Sequence, residues 1–261
     1  MNKFFYLRLS TILLITLTAA IACTRNKNRI VFNTIDETTG EFSPVYVDFT
    51  PDGLAKVKVN RETYELKEYR IASGYGYNNP EADFRGKGRL AVISFADGRK
   101  MNLFERMEDG NKIFDWALNG KNRELVLRTS GYAENGEFVQ DISGNYVQSV
   151  EMKDLNADGN MEVYFFLTSK GKDNSGSIIA YTSADGKSVS RIAIPDLKEN
   201  PELSEGYRGS DCFTFEDRYL VREFPIYYEK QPDAQAPGTR TIRYELVADG
   251  EALNFKVVDS F

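Results

Sequence analysis

The sequence predicts an all-β protein of two antiparallel domains, a small barrel followed by a larger sandwich- or barrel-like unit. Three observations carry this. Asp-Gly recurs at 52–53, 97–98, 109–110, 158–159, 185–186 and 249–250, and Asn-Gly at 119–120 and 135–136. These residues tolerate the positive φ that tight hairpins demand, so each pair between apolar runs marks a turn. The flanks alternate with the period of a half-buried strand: Val45, Val47 and Phe49 before the first turn, Ala55, Val57 and Val59 after it. No stretch keeps helical periodicity for more than about two or three turns.

In chain order, Lys3 and Arg8 precede an apolar run from Leu9 to Ile21, and Ala20-Ile21-Ala22 places small residues before Cys23. The run is too short to span a bilayer comfortably, so residues 1–22 are expected to be a secretory leader. Small residues ahead of a cysteine resemble a bacterial lipobox, which implies cleavage before Cys23 and acylation of its thiol, with 23–30 as a linker. Such a protein is anchored to a membrane without crossing it. Thr24, in place of aspartate, resembles lipoproteins sorted to the outer membrane, so the expected location is the cell envelope, on its periplasmic or surface face.

The strand pattern of Thr63–Tyr69 runs into Ser73-Gly74-Tyr75-Gly76-Tyr77 and then Asn78-Asn79-Pro80. This segment reads as an exposed loop: its glycines let the backbone bend and its tyrosines offer rigid contact area, so it is expected to touch a partner. Ala91, Ile93 and Phe95 alternate against Leu90, Val92 and Ser94 before the next turn, and Met101, Leu103 and Glu105 follow it. The polar run Glu108–Lys112 reads as a boundary, giving a first domain over 31–110 with about five strands and a second over 111–261. In the second, a long loop carries Pro195, Pro201 and Gly206, Pro232–Gly238 forms another loop, and three strands close the chain. Phe224–Tyr228 reads as an edge strand with a proline defect.

Composition removes several functions. The chain has no histidine, which excludes Ser-His-Asp and Cys-His nucleophiles and histidine metal sites. Carboxylate chemistry stays open, but no acidic pair stands in a pocket pattern, and the chain is not expected to be an enzyme. The net charge is −6, becoming −8 once Lys3 and Arg8 leave with the leader. No basic patch stands out, which argues against nucleic acid, while an acidic surface suits a cationic partner. With Cys23 acylated, Cys212 has no intrachain partner, and it reads as a small buried apolar residue. Trp116 and the tyrosines read as core or cross-strand aromatics before they read as a sugar platform.

From about 30 to 107 the chain resembles the membrane-bound inhibitors of chicken-type lysozyme (the MliC family). The resemblance rests on the strand to Phe49, Asp52-Gly53, Leu54–Val59, Tyr64-Glu65-Leu66, Ala72–Tyr77 and the hairpin through Gly98. It implies a small antiparallel barrel and an inhibitory loop in which Ser73, Gly74 and Tyr77 match a serine-glycine-x-x-tyrosine pattern, with Tyr75 between them. A lysozyme cleft holds two carboxyl groups, and a serine hydroxyl donating to an ionised one makes a charge-assisted hydrogen bond. The partner implied is therefore lysozyme. Where that family places a lysine aimed at the other carboxylate, this chain has Asp97, leaving Arg99 or Lys100 as the supporting cation.

From about Val150 to Val258 the chain resembles the periplasmic inhibitors of invertebrate-type lysozyme (PliI). The stretches that carry this are Val150–Tyr164, Ile179-Ala180-Tyr181, Ser188–Ile192, Gly206–Asp211, Leu220–Tyr227 and Tyr244-Glu245-Leu246. The loop that the resemblance implicates, Gly171–Ser177, holds Ser175 and Ser177 but no tyrosine. Within the Val150–Tyr164 stretch, Asp154, Asn156, Asp158 and Glu162 space oxygens around Gly159 as in a calcium loop. It is no EF-hand, since the twelfth position is Phe165; Asp and Asn capping their own turn is the plainer reading, with Ca²⁺ as the candidate cofactor.

Overall fold

The computed structural model describes residues 29–36, 38–120, 123–183, 185–227, 238–249 and 252–261. The expected leader, Cys23 and all but the last residue of the expected Pro232–Gly238 loop lie outside the described residues.

The chain is all-β. Eight strands, β1 (Arg29–Ile35), β2 (Phe42–Phe49), β3 (Leu54–Val59), β4 (Glu62–Glu68), β5 (Tyr75–Asn78), β6 (Ala82–Lys87), β7 (Leu90–Phe95) and β8 (Lys100–Glu105), pair in order. The ring closes where β1 meets β8, Phe32 opposite Glu105 and Asn33 opposite Phe104. Closure leaves no free sheet edge. Inward residues alternate along each strand, and Phe32, Leu66, Phe84, Ile93 and Leu103 fill the barrel at its centre.

Three four-stranded antiparallel sheets follow. The first holds β9 (Met107–Asp109), β10 (Lys112–Asn119), β11 (Glu124–Ser130) and β12 (Glu137–Asp141). The second holds β13 (Asn145–Lys153), β14 (Glu162–Ser169), β15 (Gly176–Thr182) and β16 (Ser190–Ile192). The third holds β17 (Cys212–Glu216), β18 (Tyr219–Ile226), β19 (Gly238–Asp249) and β20 (Ala252–Ser260). They stack with the second in the middle. On β14, Val163, Phe165 and Leu167 join a core with Trp116, Leu125 and Leu127, whereas Tyr164 and Phe166 join a core with Leu220, Tyr244 and Phe255. A strand buried on both faces reads as a continuous apolar run, which is what Val163–Leu167 is.

The barrel and the first sheet are clamped together. Trp116 Nε1 donates to the Glu105 carbonyl at 2.8 Å, and its ring lies 4.9 Å from that of Phe104. Asp115 accepts a fork from Arg106 at 2.6 and 3.0 Å and a further bond from Asn33 of β1 at 2.6 Å.

Four details differ from the sequence reading. Glu108–Lys112 is not a linker but the turn of the β9–β10 hairpin, so the change of sheet falls at Arg106. Tyr75–Asn78 is a strand of the barrel, one reason it has eight strands rather than about five. Cys212 is exposed, at the start of the edge strand β17. β18 is interior rather than an edge; Pro225 is tolerated because β17 pairs only as far as Glu223, so no ladder bond is needed on that side.

Candidate functional site

The Ser73 turn follows from close packing between β5 and its neighbours. Ser73 and Gly74 are exposed, and Gly74 has φ +85°, a conformation that disfavours a side chain. A Cβ on Gly74 would fall on the Gly86 carbonyl oxygen, so the two backbones touch. Tyr75 stands opposite Gly86, and its ring lies where a Gly86 side chain would be. On the other face, Tyr69 and Ile71 cover Gly76, whose Cβ would come within 3.0 and 2.9 Å of them. The segment is therefore interlocked and not a free loop.

Tyr75 and Tyr77 pack onto the barrel core around Phe49, with ring centroids 5.9 and 5.3 Å away. Burial pushes both phenols above their ordinary range. Both are half-buried. The tyrosines brace the turn from behind, and the surface offered outward is Ala72-Ser73-Gly74. Both rings keep part of their surface exposed while bracing the turn.

The two supporting cations separate. Arg99 is held by Asp97 at 2.7 Å, approaches Glu62 at 3.9 Å and stacks over Phe95. It borders a depression with Tyr64 and Glu81, away from Ser73. Lys100 borders the same crevice as Ser73, a space of about 1100 Å³ between the outer face of β6–β8 and the Leu118–Gly120 end of β10. Lys100, not Arg99, thus shares a cavity with the turn. The lining cations Arg85 and Lys87 escaped the sequence reading. Their one signal was Gly86 between them, a mid-strand glycine of the kind that marks close backbone approach.

In the second block, Ser175 and Ser177 border a separate cavity of about 380 Å³ between the second and third sheets. Arg222 forms part of its wall, with a side chain only 10% exposed, and pairs with the wholly buried Asp211 at 2.6 Å. Asp211 also accepts from Tyr207 Oη and from the Gly176 N–H, both at 2.6 Å. The guanidinium lies over the rings of Tyr207, Phe213 and Phe224. This network belongs to the Gly206–Asp211 and Leu220–Tyr227 motifs, whose order was visible in the sequence but whose convergence was not.

The acidic loop joins β13 to β14. Asp154 accepts from the N–H groups of Asp158 and Gly159 at 3.1 and 3.0 Å, and the Asn156 amide donates to Asp158 at 2.9 Å. These are the turn-capping bonds of the plainer reading. Asp154, Asp158 and Glu162 nevertheless bring one carboxylate oxygen each within 4.8 Å of one another. Glu162 is wholly buried and accepts from Leu155 N–H at 2.7 Å, Tyr164 Oη at 3.2 Å and Thr182 Oγ1 at 3.2 Å. Burial pushes its carboxyl up to about 7, against the pull of these hydrogen bonds. Three hard oxygen donors at this spacing fit a calcium-sized ion once Glu162 is ionised. Asn156 lies on the same loop and is tied to it by its amide bond to Asp158.

Trp116 is fully buried and serves as core, not as a sugar platform. No helix among the described residues is long and apolar enough to cross a membrane. No protein-family model matches the chain, and no curated protein matches it.

Proposed function

We propose that this chain is a lipid-anchored envelope protein that binds lysozyme and blocks its cleft with the Ala72-Ser73-Gly74 turn, anchored through Cys23 at the outer membrane. The observation that carries the reading is the closed eight-stranded barrel with an exposed Ser73 turn interlocked at Gly74, Gly76 and Gly86. A turn held this way presents one hydroxyl in a fixed place, so little ordering is lost on docking. The serine is the donor toward an ionised cleft carboxylate, the tyrosines are the buttress, and Lys100 is the cation on the same side of the barrel. The second block adds a further lysozyme-facing turn at Ser175.

The test is a lysis assay with a soluble 24–261 fragment against chicken-, invertebrate- and goose-type lysozymes. At least one class is expected to be slowed, and Ser73→Ala to weaken that by about tenfold or more, the range for a charge-assisted hydrogen bond of 1.5–3 kcal/mol. No inhibition of any class overturns the proposal.

A second reading, an envelope binding module steadied by Ca²⁺, is favoured by the convergence of Asp154, Asp158 and Glu162. It predicts that millimolar Ca²⁺ raises the melting temperature while lysozyme is untouched.

A further inference from the structure

The crevice between barrel and first sheet has a volume of about 1100 Å³, and the lysozyme proposal uses Ser73 and Lys100 of its lining. We infer that it binds an extended acidic polypeptide segment with apolar side chains between its carboxylates. This goes beyond the lysozyme reading, with which it shares Lys100 and the Ser73 end of the crevice, and its test reads peptide binding rather than lysozyme inhibition.

Its walls are preformed. The bonds of Asp115 to Arg106 and Asn33, and of Trp116 to Glu105, fix the β10 end against the barrel. A second hollow lined by Thr34, Asp36 and Ser43 shares Lys100, Asn102, Phe104 and Leu118 with the crevice, so the concavity continues across the barrel surface. Such a course suits a chain rather than a compact molecule. The barrel offers no free strand edge, so recognition must come from side chains.

Those side chains form three rungs across β6, β7 and β8. Lys87, Leu90 and Phe104 make the first, Arg85, Val92 and Asn102 the second, and Asp83, Ser94 and Lys100 the third. Leu90, Val92 and Leu118 provide an apolar floor, each partly exposed. Of the charges, Arg85 is taken by Asp83 at 2.7 Å, whereas Lys87 and Lys100 form no ion pair among the described residues. Two unpaired cations over an apolar floor, in a chain of net charge −6, favour an anionic partner here.

The spacing narrows the partner. Lys87 and Lys100 stand two strands apart, and Lys87 lies four residues along β6 from Asp83, the residue in rung with Lys100. With about 4.8 Å between strands and 3.3 Å per residue, the two are about 16 Å apart at the backbone. No small anion bridges that. An extended peptide with carboxylates four residues apart spans about 13 Å, within reach of two flexible lysines, and its intervening alternate residue meets the floor. Phe104, buried at 3% exposure, is the one aromatic among the lining residues, so no ring is offered for stacking sugars. That favours a peptide over an anionic glycan.

The experiment uses the 24–261 protein and three probes in fluorescence anisotropy: a labelled Glu-Ser-Val-Ser-Glu peptide, its Lys-Ser-Val-Ser-Lys counterpart, and a labelled oligogalacturonate. The acidic peptide is expected to bind, to weaken about tenfold in a Lys87→Glu/Lys100→Glu variant, and to weaken as salt rises from about 50 to 300 mM. Leu118→Ser, in a separate variant, is expected to weaken it without changing the salt slope. Unchanged melting temperatures show that the exposed charge reversals leave the fold intact. No acidic-peptide binding, equal binding of the basic peptide, indifference to the charge reversals, or binding of oligogalacturonate alone each overturns the inference. Lysozyme inhibition is measured alongside with Ser73→Ala, so failure of either proposal leaves the other legible.

Discussion

Glu162→Gln removes a carboxyl that burial pushes up toward neutrality. Glu162 is wholly buried, and its folded carboxyl is pushed to about 7 from an ordinary 4.5. Over that window the folded chain holds a proton that the unfolded chain has released, so stability is greatest below 4.5, falls as pH rises, and levels off above 7. At about 1.4 kcal/mol per unit the total fall is about 3 kcal/mol. Glutamine keeps the shape, accepts from the Leu155 N–H, and lets the Thr182 hydroxyl turn from donor to acceptor. The chain has no histidine, so few other groups titrate there. Glu105 is also raised by burial, against the pull of Arg89, but the variant keeps it, and the difference between the two proteins cancels it. The assay is urea unfolding in chelator at pH 5, 6.5 and 8. The variant is expected to exceed wild type by no more than about 1 kcal/mol at pH 5 and by up to about 3 kcal/mol at pH 8. A wild-type protein whose stability does not fall between pH 5 and 8, or a variant with the same slope, refutes the reasoning. Adding Ca²⁺ at pH 8 then tests the cation reading, since only the wild type regains an ionised ligand to satisfy.

Asp211→Ala strands Arg222 at 10% side-chain exposure and removes the acceptor of Tyr207 and Gly176, so it should cost about 3–5 kcal/mol by urea unfolding. A loss below about 1 kcal/mol would mean that the guanidinium finds water. Gly86→Ala puts a methyl onto the Tyr75 ring and should cost about 1–3 kcal/mol, while shifting the near-ultraviolet tyrosine signal. Gly76→Ala meets only the ends of Ile71 and Tyr69, so it should leave the fold stable but lift residues 69–74, read as faster amide exchange in that segment.

Half of the hairpins among the described residues were legible from turn chemistry, eight of sixteen consecutive strand pairs. Each of the eight Asp-Gly and Asn-Gly pairs lies between two strands that pair antiparallel. Local turn chemistry sets those contacts, so it can be read locally. The Ser73 segment was not legible because the residue that explains it, Gly86, is adjacent across the sheet rather than along the chain. Gly-Tyr-Gly-Tyr suits an exposed contact loop and an interlocked strand equally well. Arg99 and Lys100 were likewise inseparable in sequence, yet neighbouring residues of a hairpin arm point to opposite faces, and only Lys100 reaches the crevice. Glu162 was found as an oxygen donor from spacing, but its burial came from Tyr164 and Thr182, the latter twenty residues away.

The two blocks hold their serine turns by the same physical device. In the barrel, Gly74 rests on the Gly86 carbonyl. In the second block, Gly209 (φ +92°) rests on the Asp173 carbonyl, and the Ser210 N–H donates to that oxygen at 2.9 Å. Gly176, beside Ser175, leaves room for Asp211 and Phe213, each 2.7 Å from where its Cβ would stand. In both cases a missing side chain lets a neighbouring segment lock the turn from behind, by an aromatic ring in the first and by a buried ion pair in the second. The same approach recurs at Gly131, over the Asn111 carbonyl, and a side chain added at Gly74, Gly131 or Gly209 would force the backbones apart. Two unrelated sheets reaching one solution for a serine-bearing turn argues that rigidity of the turn is what the packing secures. A rigid turn loses little entropy on docking, which is the property a cleft-blocking protein needs.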